Sequence, residues 1–280
     1  MWIEKIKPEL VGGKSALPDC LRAEGLRRGW SDAQCAELAA MLPGELASCA
    51  CFLDKLTGIW RYEFGRPHTV GESLVWGTHM WAPVPVLFDV LACARRRLPR
   101  EKLAAYLTLL ANTDKHQEYL AEMLPLLRVN PAVPADHEVA GRGAGNKTID
   151  WAIGPIGSRC VLMDVKRRYV DFIAHMGAPI KSEVPAPEHD PARLFLSVEQ
   201  KFIAADPDTV LQGAWIVTDI KQEANEFATT FKSLDAAKVH FAVLGDHRPD
   251  IHLLVRREQD RSFLLGLFKA TKSERFVFNR

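Results

Sequence analysis

Three things are scarce or missing in this 280-residue sequence, and each closes off a class of function. The first is an excess of charge. Thirty-six Lys and Arg against 35 Asp and Glu leave a formal net charge of +1, so the chain has neither the basic bias of a polycation-like nucleic-acid arm nor the acidic bias of a disordered tail. Local basic clusters remain, at Arg95–Arg97, Lys166–Arg168 and Arg256–Arg257, and each reads either as a binding face or as solvated surface. The second is a long apolar run. The greasiest window, WAPVPVLFDVLACA, holds two prolines and Asp89 and is too short to span a bilayer. The start, MWIEKIKPELVGG, has no apolar run after a basic opening, so no signal peptide is expected. The third is paired cysteine. Six cysteines include no C-x-x-C, and Cys49 and Cys51 are spaced for neither zinc nor a redox centre. Reduced core cysteines in a cytoplasmic protein are expected. There is also no His-x₃-His pair and no G-x-S-x-G serine-hydrolase elbow.

What is present divides by texture. From Ser31 to about Arg128 the pattern is helical: SDAQCAELAAMLP opens on an N-cap serine, and VPVLFDVLACARRRLP gathers its charge in the last turn. EKLAAYLTLLANTDKHQEYLAEMLPLLR keeps three-and-four apolar spacing, with a break at Asn112–Thr113. The aromatic stretch between Trp60 and Pro83 is not assignable. After Arg128, prolines and glycines end the helical region and short strand-like runs take over. Two domains are therefore expected. A mostly α-helical N-terminal region would cover 1–112, and an α/β domain with a mixed sheet flanked by helices would cover 113–280.

The run GRGAGNKT, from Gly141 to Thr148, has the spacing of a P-loop except that Asn146 stands where glycine should precede the lysine. A P-loop must open into a helix. Here TIDWAIG alternates as a strand, so the glycines are expected at the tip of a β-hairpin and the phosphate-loop reading fails. The informative residues are two carboxylates. Asp150 interrupts that strand and Asp164 interrupts the next, RCVLMDVKRR. An isolated charge in a buried strand costs several kcal/mol, roughly, unless it is paired or binds a metal. Lys166, two residues on, shares a face with Asp164. Pairing of the strands would bring Asp150 to both. Such a cluster suits Mg²⁺-assisted phosphodiester hydrolysis, with the carbonyl of Val165 as a further oxygen ligand. The simpler alternative is an Asp164–Lys166 ion pair on an exposed sheet face.

The stretch IDWAIGPIGSRCVLMDVKRR resembles the PD-(D/E)XK nuclease superfamily, which has the restriction-endonuclease-like fold. Ile149–Asp150 stands where Pro-Asp is usual, and Asp164–Val165–Lys166 matches the (D/E)-x-K half in full. The α-β-β-β-α-β order of the family core is expected between about 114 and 255. The resemblance implies a metal-dependent endonuclease acting on DNA. Asp150, Asp164 and a further acidic residue would hold Mg²⁺, or Mn²⁺ in its place, and Lys166 would assist the attacking water. Glu138 is assigned to that further position, with Glu118 and Glu122 as alternatives. Arg167 and Arg168 would lie beside the scissile phosphate, and cutting both strands would favour a two-fold homodimer. Gln200 and Lys201 follow on the next helix, where some family members place a polar residue in the site; a solvated helix face is the favoured reading for both. The competing reading of the whole chain is a nuclease-like fold that serves as a binding or assembly module without catalysis.

Overall fold

The computed structural model describes residues 11–55, 57–64, 68–70, 73–75, 80–113, 115–167, 190–218, 220–245, 250–268 and 276–277. Arg168 and the proline-rich stretch after it, to residue 189, lie outside them. The chain divides into two compact units, Met1–Met123 and Leu124–Arg280; sequence texture alone set the division at 112/113.

The first unit holds strands β1 (Val11–Ala16), β2 (Ala50–Asp54), β3 (Ile59–Phe64), β4 (His68–Val70), β5 (Ser73–Val75) and β6 (Met80–Pro83). Its helices are α1 (Leu17–Arg27), α2 (Asp32–Ala40), α3 (Gly44–Ala47), α4 (Val84–Arg97), α5 (Arg100–Leu110) and α6 (His116–Glu122). Helices are present as expected, and with them β1-β2-β3-β6 form a four-stranded sheet that the helical pattern did not announce. The period that makes β3 a strand is plain once the burial is known. Tyr62 and Phe64 are buried, while Arg61 and Glu63, which alternate with them, stay partly exposed. Ser31 caps α2 as expected, in a reciprocal capping box with Gln34, and the break near Asn112 separates α5 from α6. His116 is buried and fully engaged: Nδ1 donates to the Leu110 carbonyl at 2.6 Å, which leaves Nε2 to accept from the Tyr62 hydroxyl at 2.7 Å.

The second unit begins with α7 (Leu124–Arg128) and continues through β7 (Ala135–Val139), β8 (Ile149–Ile156) and β9 (Arg159–Arg167). Helix α8 (Pro191–Glu199), strand β10 (Val210–Val217) and helix α9 (Ile220–Ser233) come next. Strands β11 (Phe241–Gly245) and β12 (Ile251–Val255), helix α10 (Arg261–Leu267) and strand β13 (Phe276–Val277) complete it. The sheet runs β13-β12-β11-β10-β9-β8-β7. Strand β8 is antiparallel to both of its neighbours, whereas β9, β10 and β11 are mutually parallel. The expected mixed α/β architecture is therefore present, and the element order from α7 to β10 is α-β-β-β-α-β.

One face of this sheet carries α8 and α9. Leu162, Ala214 and Ala242 lie in the same core cluster as Phe195 and Val198 of α8 and Phe227 and Phe231 of α9. The rings of Phe195 and Phe227 meet edge to face, with centroids 5.9 Å apart. Burial of each Phe contributes roughly 2–3 kcal/mol. Helix α8 starts where Asp190 accepts from the Ala192 N–H at 2.9 Å and Pro191 fills the first turn. These contacts fix the end of α8, where the site is built.

Candidate active site

Register brings the two carboxylates together. The recorded β8–β9 pairs are Trp151 with Met163 and Ala152 with Leu162, so one further step sets Asp150 opposite Asp164, on the same sheet face. Asp164 in turn pairs with Ala214 of β10. The small alanine beside it leaves room above the sheet row. Both aspartates are buried, Asp164 completely, so the expected alternative of an ion pair on an exposed face is overturned.

Each carboxylate oxygen has a distinct environment. Asp150 Oδ2 accepts the main-chain N–H of Val165 at 2.7 Å, taking the place of a ladder bond where β8 and β9 part. Asp150 Oδ1 lies 3.2 Å from Lys201 Nζ, and the same ammonium is hydrogen-bonded to Asp164 Oδ1. Asp164 Oδ2 sits 2.7 Å from Lys166 Nζ. That contact is an ion pair without hydrogen-bond alignment, and Oδ2 is a buried oxygen with no hydrogen bond of its own. Lys166 and Lys201 each keep 24% of the side chain exposed, so both reach from the buried carboxylates toward water. Burial works against the Lys201 ammonium, but the Asp164 and Asp150 carboxylates outweigh it and hold its pKa above the usual lysine value.

Lys201 is the residue that sequence reasoning set aside. It lies just past the end of α8 and is not part of a solvated helix face. The signal for it was present: Leu194, Val198 and Lys201 recur at four and three residues, which carries the buried stripe of α8 into the site. Gln200 is the helix C-cap. Its carbonyl accepts from Lys147 Nζ at 3.4 Å.

The glycine-rich run connects β7 to β8, as expected of a hairpin, through a 3₁₀ turn at Ala144–Asn146. No helix opens at Lys147. Gly145 and Asn146 take positive φ, 60° and 63°. What the run holds is the chain at Lys201: the Ala144 N–H donates to the Lys201 carbonyl at 2.8 Å, and Gly143 forms a bridge with Phe202.

The remaining expectations are placed differently. Val165 enters through its N–H. Glu138 lies between the registered pairs His137–Trp151 and Val139–Ile149, across from Asp150, but its φ of 52° breaks the strand alternation. Glu138 takes no part in the hydrogen bonds and ion pairs that join Asp150, Asp164, Lys166 and Lys201. Glu118 and Glu122 lie on α6, in the first unit. His137 stacks on Trp151 at 4.6 Å, in the sheet row next to that of the aspartates. Arg167 ends β9, and Arg168 lies outside the described residues. The Arg256–Arg257 cluster is committed within the fold, Arg257 to Asp208 and Asp260 and Arg256 over the Phe231 ring. Arg95 of the first cluster pairs with Glu37. The six cysteines are free, five of them buried, and burial pushes the Cys49 thiol up to about 12. Among the described residues no helix is long and apolar enough to cross a membrane.

No protein-family model matches the chain, and no curated protein matches it either.

Proposed function

We propose that the second unit is a metal-dependent nuclease of restriction-endonuclease-like fold that hydrolyses phosphodiester bonds, of DNA in the first instance. The observation that carries this reading is the convergence of two buried carboxylates from adjacent strands with an ammonium from the same strand as one of them. The α-β-β-β-α-β order from α7 to β10 supports it. The donor set fits a hard cation: Asp150 and Asp164 offer carboxylate oxygens, and Asp164 Oδ2 lacks a hydrogen bond. When bound, Mg²⁺ or Mn²⁺ would polarise the phosphoryl oxygen and acidify a water.

The chain's own contribution is positioning and charge. The Val165 N–H fixes the Asp150 carboxylate through Oδ2, so that Oδ1 faces Lys201 beside the Asp164 carboxylate. Lys166, anchored at Asp164 and partly exposed, is placed to orient the attacking water and to donate to a non-bridging phosphate oxygen as charge develops there. Hydrolysis forms a bond from the water oxygen to phosphorus and breaks the bond to the leaving alcohol. The water's proton passes to solvent, and the leaving oxygen takes one from it, so the lysine stays charged throughout.

One observation favours a second reading, a binding or assembly module without catalysis. Lys166 and Lys201 together neutralise both aspartates. A cluster that sums to zero charge needs no cation to be stable.

Nicking of supercoiled plasmid DNA in Mg²⁺, Mn²⁺ and EDTA separates the two. Metal-dependent nicking is expected in the wild type, lost by about 10²-fold or more in Lys166→Ala and abolished in Asp164→Ala, with both variants folded by circular dichroism. Wild-type nicking in Asp164→Ala would remove the site assignment. No cleavage of plasmid or of single-stranded DNA and RNA with either metal would shift the assignment to the binding module.

A further inference from the structure

The nuclease reading gives no role to Lys201 or to the glycine-rich connection. Of the four carboxylate oxygens, Asp150 Oδ2 is taken by the Val165 N–H and Asp164 Oδ2 faces Lys166. The two Oδ1 atoms are left, and both meet the same Lys201 ammonium. A charge that bridges one oxygen from each of two carboxylates sits where an ion shared by them would sit. Lys166, by contrast, is paired with Asp164 through the other oxygen, Oδ2.

The main chain beneath Lys201 is held on its own account. The Ala144 N–H binds its carbonyl, the Gly143–Phe202 bridge follows it, and Lys147 binds the Gln200 carbonyl before it. Gly143 lets the connection close on itself, since a Cβ there would come within 2.1 Å of the Lys147 carbonyl oxygen. The backbone is therefore fixed while a long, partly exposed side chain carries the charge. Withdrawal of the ammonium needs only rotation about side-chain bonds, with no change in α8 or in the sheet.

Resting on the nuclease reading, we infer that Lys201 is a resident counter-ion that occupies the divalent-cation position between Asp150 and Asp164 and must swing out before a cation binds. The glycine-rich connection is its seat. Lys201 holds two neighbouring carboxylates in place without metal, and it sets the threshold of metal concentration at which the site fills.

The test is Mn²⁺ binding, read from the electron paramagnetic resonance signal of free Mn²⁺, for the wild type, Lys201→Met, Lys166→Met and Asp164→Asn. Lys201→Met is expected to bind about tenfold tighter than wild type, the equivalent of one charge-assisted hydrogen bond no longer to be displaced. Lys166→Met should gain clearly less, and Asp164→Asn should lose binding. Equal gains in the two lysine variants would reduce the effect to net charge and overturn the inference. Unchanged or weaker binding in Lys201→Met would also overturn it, while wild-type Mn²⁺ binding would leave the nuclease reading standing. Absence of binding in every protein would overturn both. Thermal unfolding provides the second readout. Lys201→Met should melt lower than wild type in EDTA and recover with Mn²⁺. If it is unfolded in EDTA, Mn²⁺ should restore the fold, and failure to do so in either case counts against the counter-ion.

Discussion

Among its described residues the second unit has two places where buried carboxylate meets two cations, and they are built to opposite ends. Asp260, 1% exposed, receives Arg159 at 2.7 Å on Oδ1 and Arg257 on both oxygens, at 2.9 and 2.8 Å. One carboxylate faces two guanidiniums, and both of its oxygens are saturated by directed hydrogen bonds. At the other place two carboxylates face two ammoniums, and one oxygen has no hydrogen bond at all. Guanidinium is planar and donates in a fixed fork, so it locks its partner; ammonium is a compact charge on a flexible stem and can be exchanged. The first cluster ties the start of β9 to the turn that follows β12. The second can release a cation and accept another. Both places bury carboxylate against two cations, so the state of the oxygens is what distinguishes a brace from a site.

The largest way to sharpen this contrast is Asp260→Asn. It removes the charge that both arginines share and sets an amide N–H₂ against a guanidinium. The expected loss is about 2–3 kcal/mol of unfolding free energy, less than a fully dry pair because Arg257 keeps 30% of its side chain exposed. Nicking and Mn²⁺ binding should be unaffected. Urea denaturation checks the first and the plasmid assay the second. A loss of cleavage with unchanged stability would mean that the two clusters had been assigned the wrong way round.

Gly143→Ala is the next probe, and it acts on the site through its seat. The added methyl meets a backbone oxygen that cannot retreat without moving Lys147, and overpacking of this kind costs roughly 1–3 kcal/mol. Because the same loop holds the chain at Lys201, the substitution should also tighten Mn²⁺ binding in the direction of Lys201→Met. A purely local effect would lower stability, read by urea denaturation, and leave Mn²⁺ affinity at the wild-type value.

The difference between the clusters also bears on what sequence alone could show. Asp150, Asp164 and Lys166 stood out because charge in an apolar strand is costly, and period-two alternation put Lys166 on the Asp164 face. Lys201 did not stand out, since a lysine near a helix end is ordinarily solvated. Its burial depends on α8 docking by Phe195 and Val198 against a sheet face whose composition includes β10 and β11, far along the chain. Glu138 is a different case. Strand register favoured it, but a left-handed φ at one residue is not written in any periodicity. The sheet of the first unit was missed for a third reason: aromatics and glycines masked the alternation of Tyr62 and Phe64 that a burial pattern reveals at once. Asp260 drew no notice at all, because Arg159, 101 residues away, is supplied by tertiary contact and Arg257, three residues before it, reads as ordinary surface charge.

The smallest effect expected is one of pH, and it again separates the two places. Burial pushes the Asp260 carboxyl up, but hydrogen bonds from Arg257 and Arg159 outweigh it and hold the pKa below the ordinary aspartate value. A lowered folded-state pKa means that the unfolded chain binds the proton more readily. The stabilisation is therefore present in full above the unfolded value, near 4 roughly, and is lost as pH falls through the folded one. Lys201 has the reverse sign: with its pKa raised, its contribution is complete below the unfolded lysine value, about 10.4, and is lost only as pH rises through the higher folded one. Between those limits neither group gives a slope. Melting temperatures across pH should thus fall in acid for the wild type and fall less for Asp260→Asn, whereas Lys201→Met should differ from wild type by an amount that is constant through neutrality and narrows only in strong alkali. An Asp260→Asn protein as acid-sensitive as wild type would show that the guanidinium brace does not hold the carboxylate charge in the folded state.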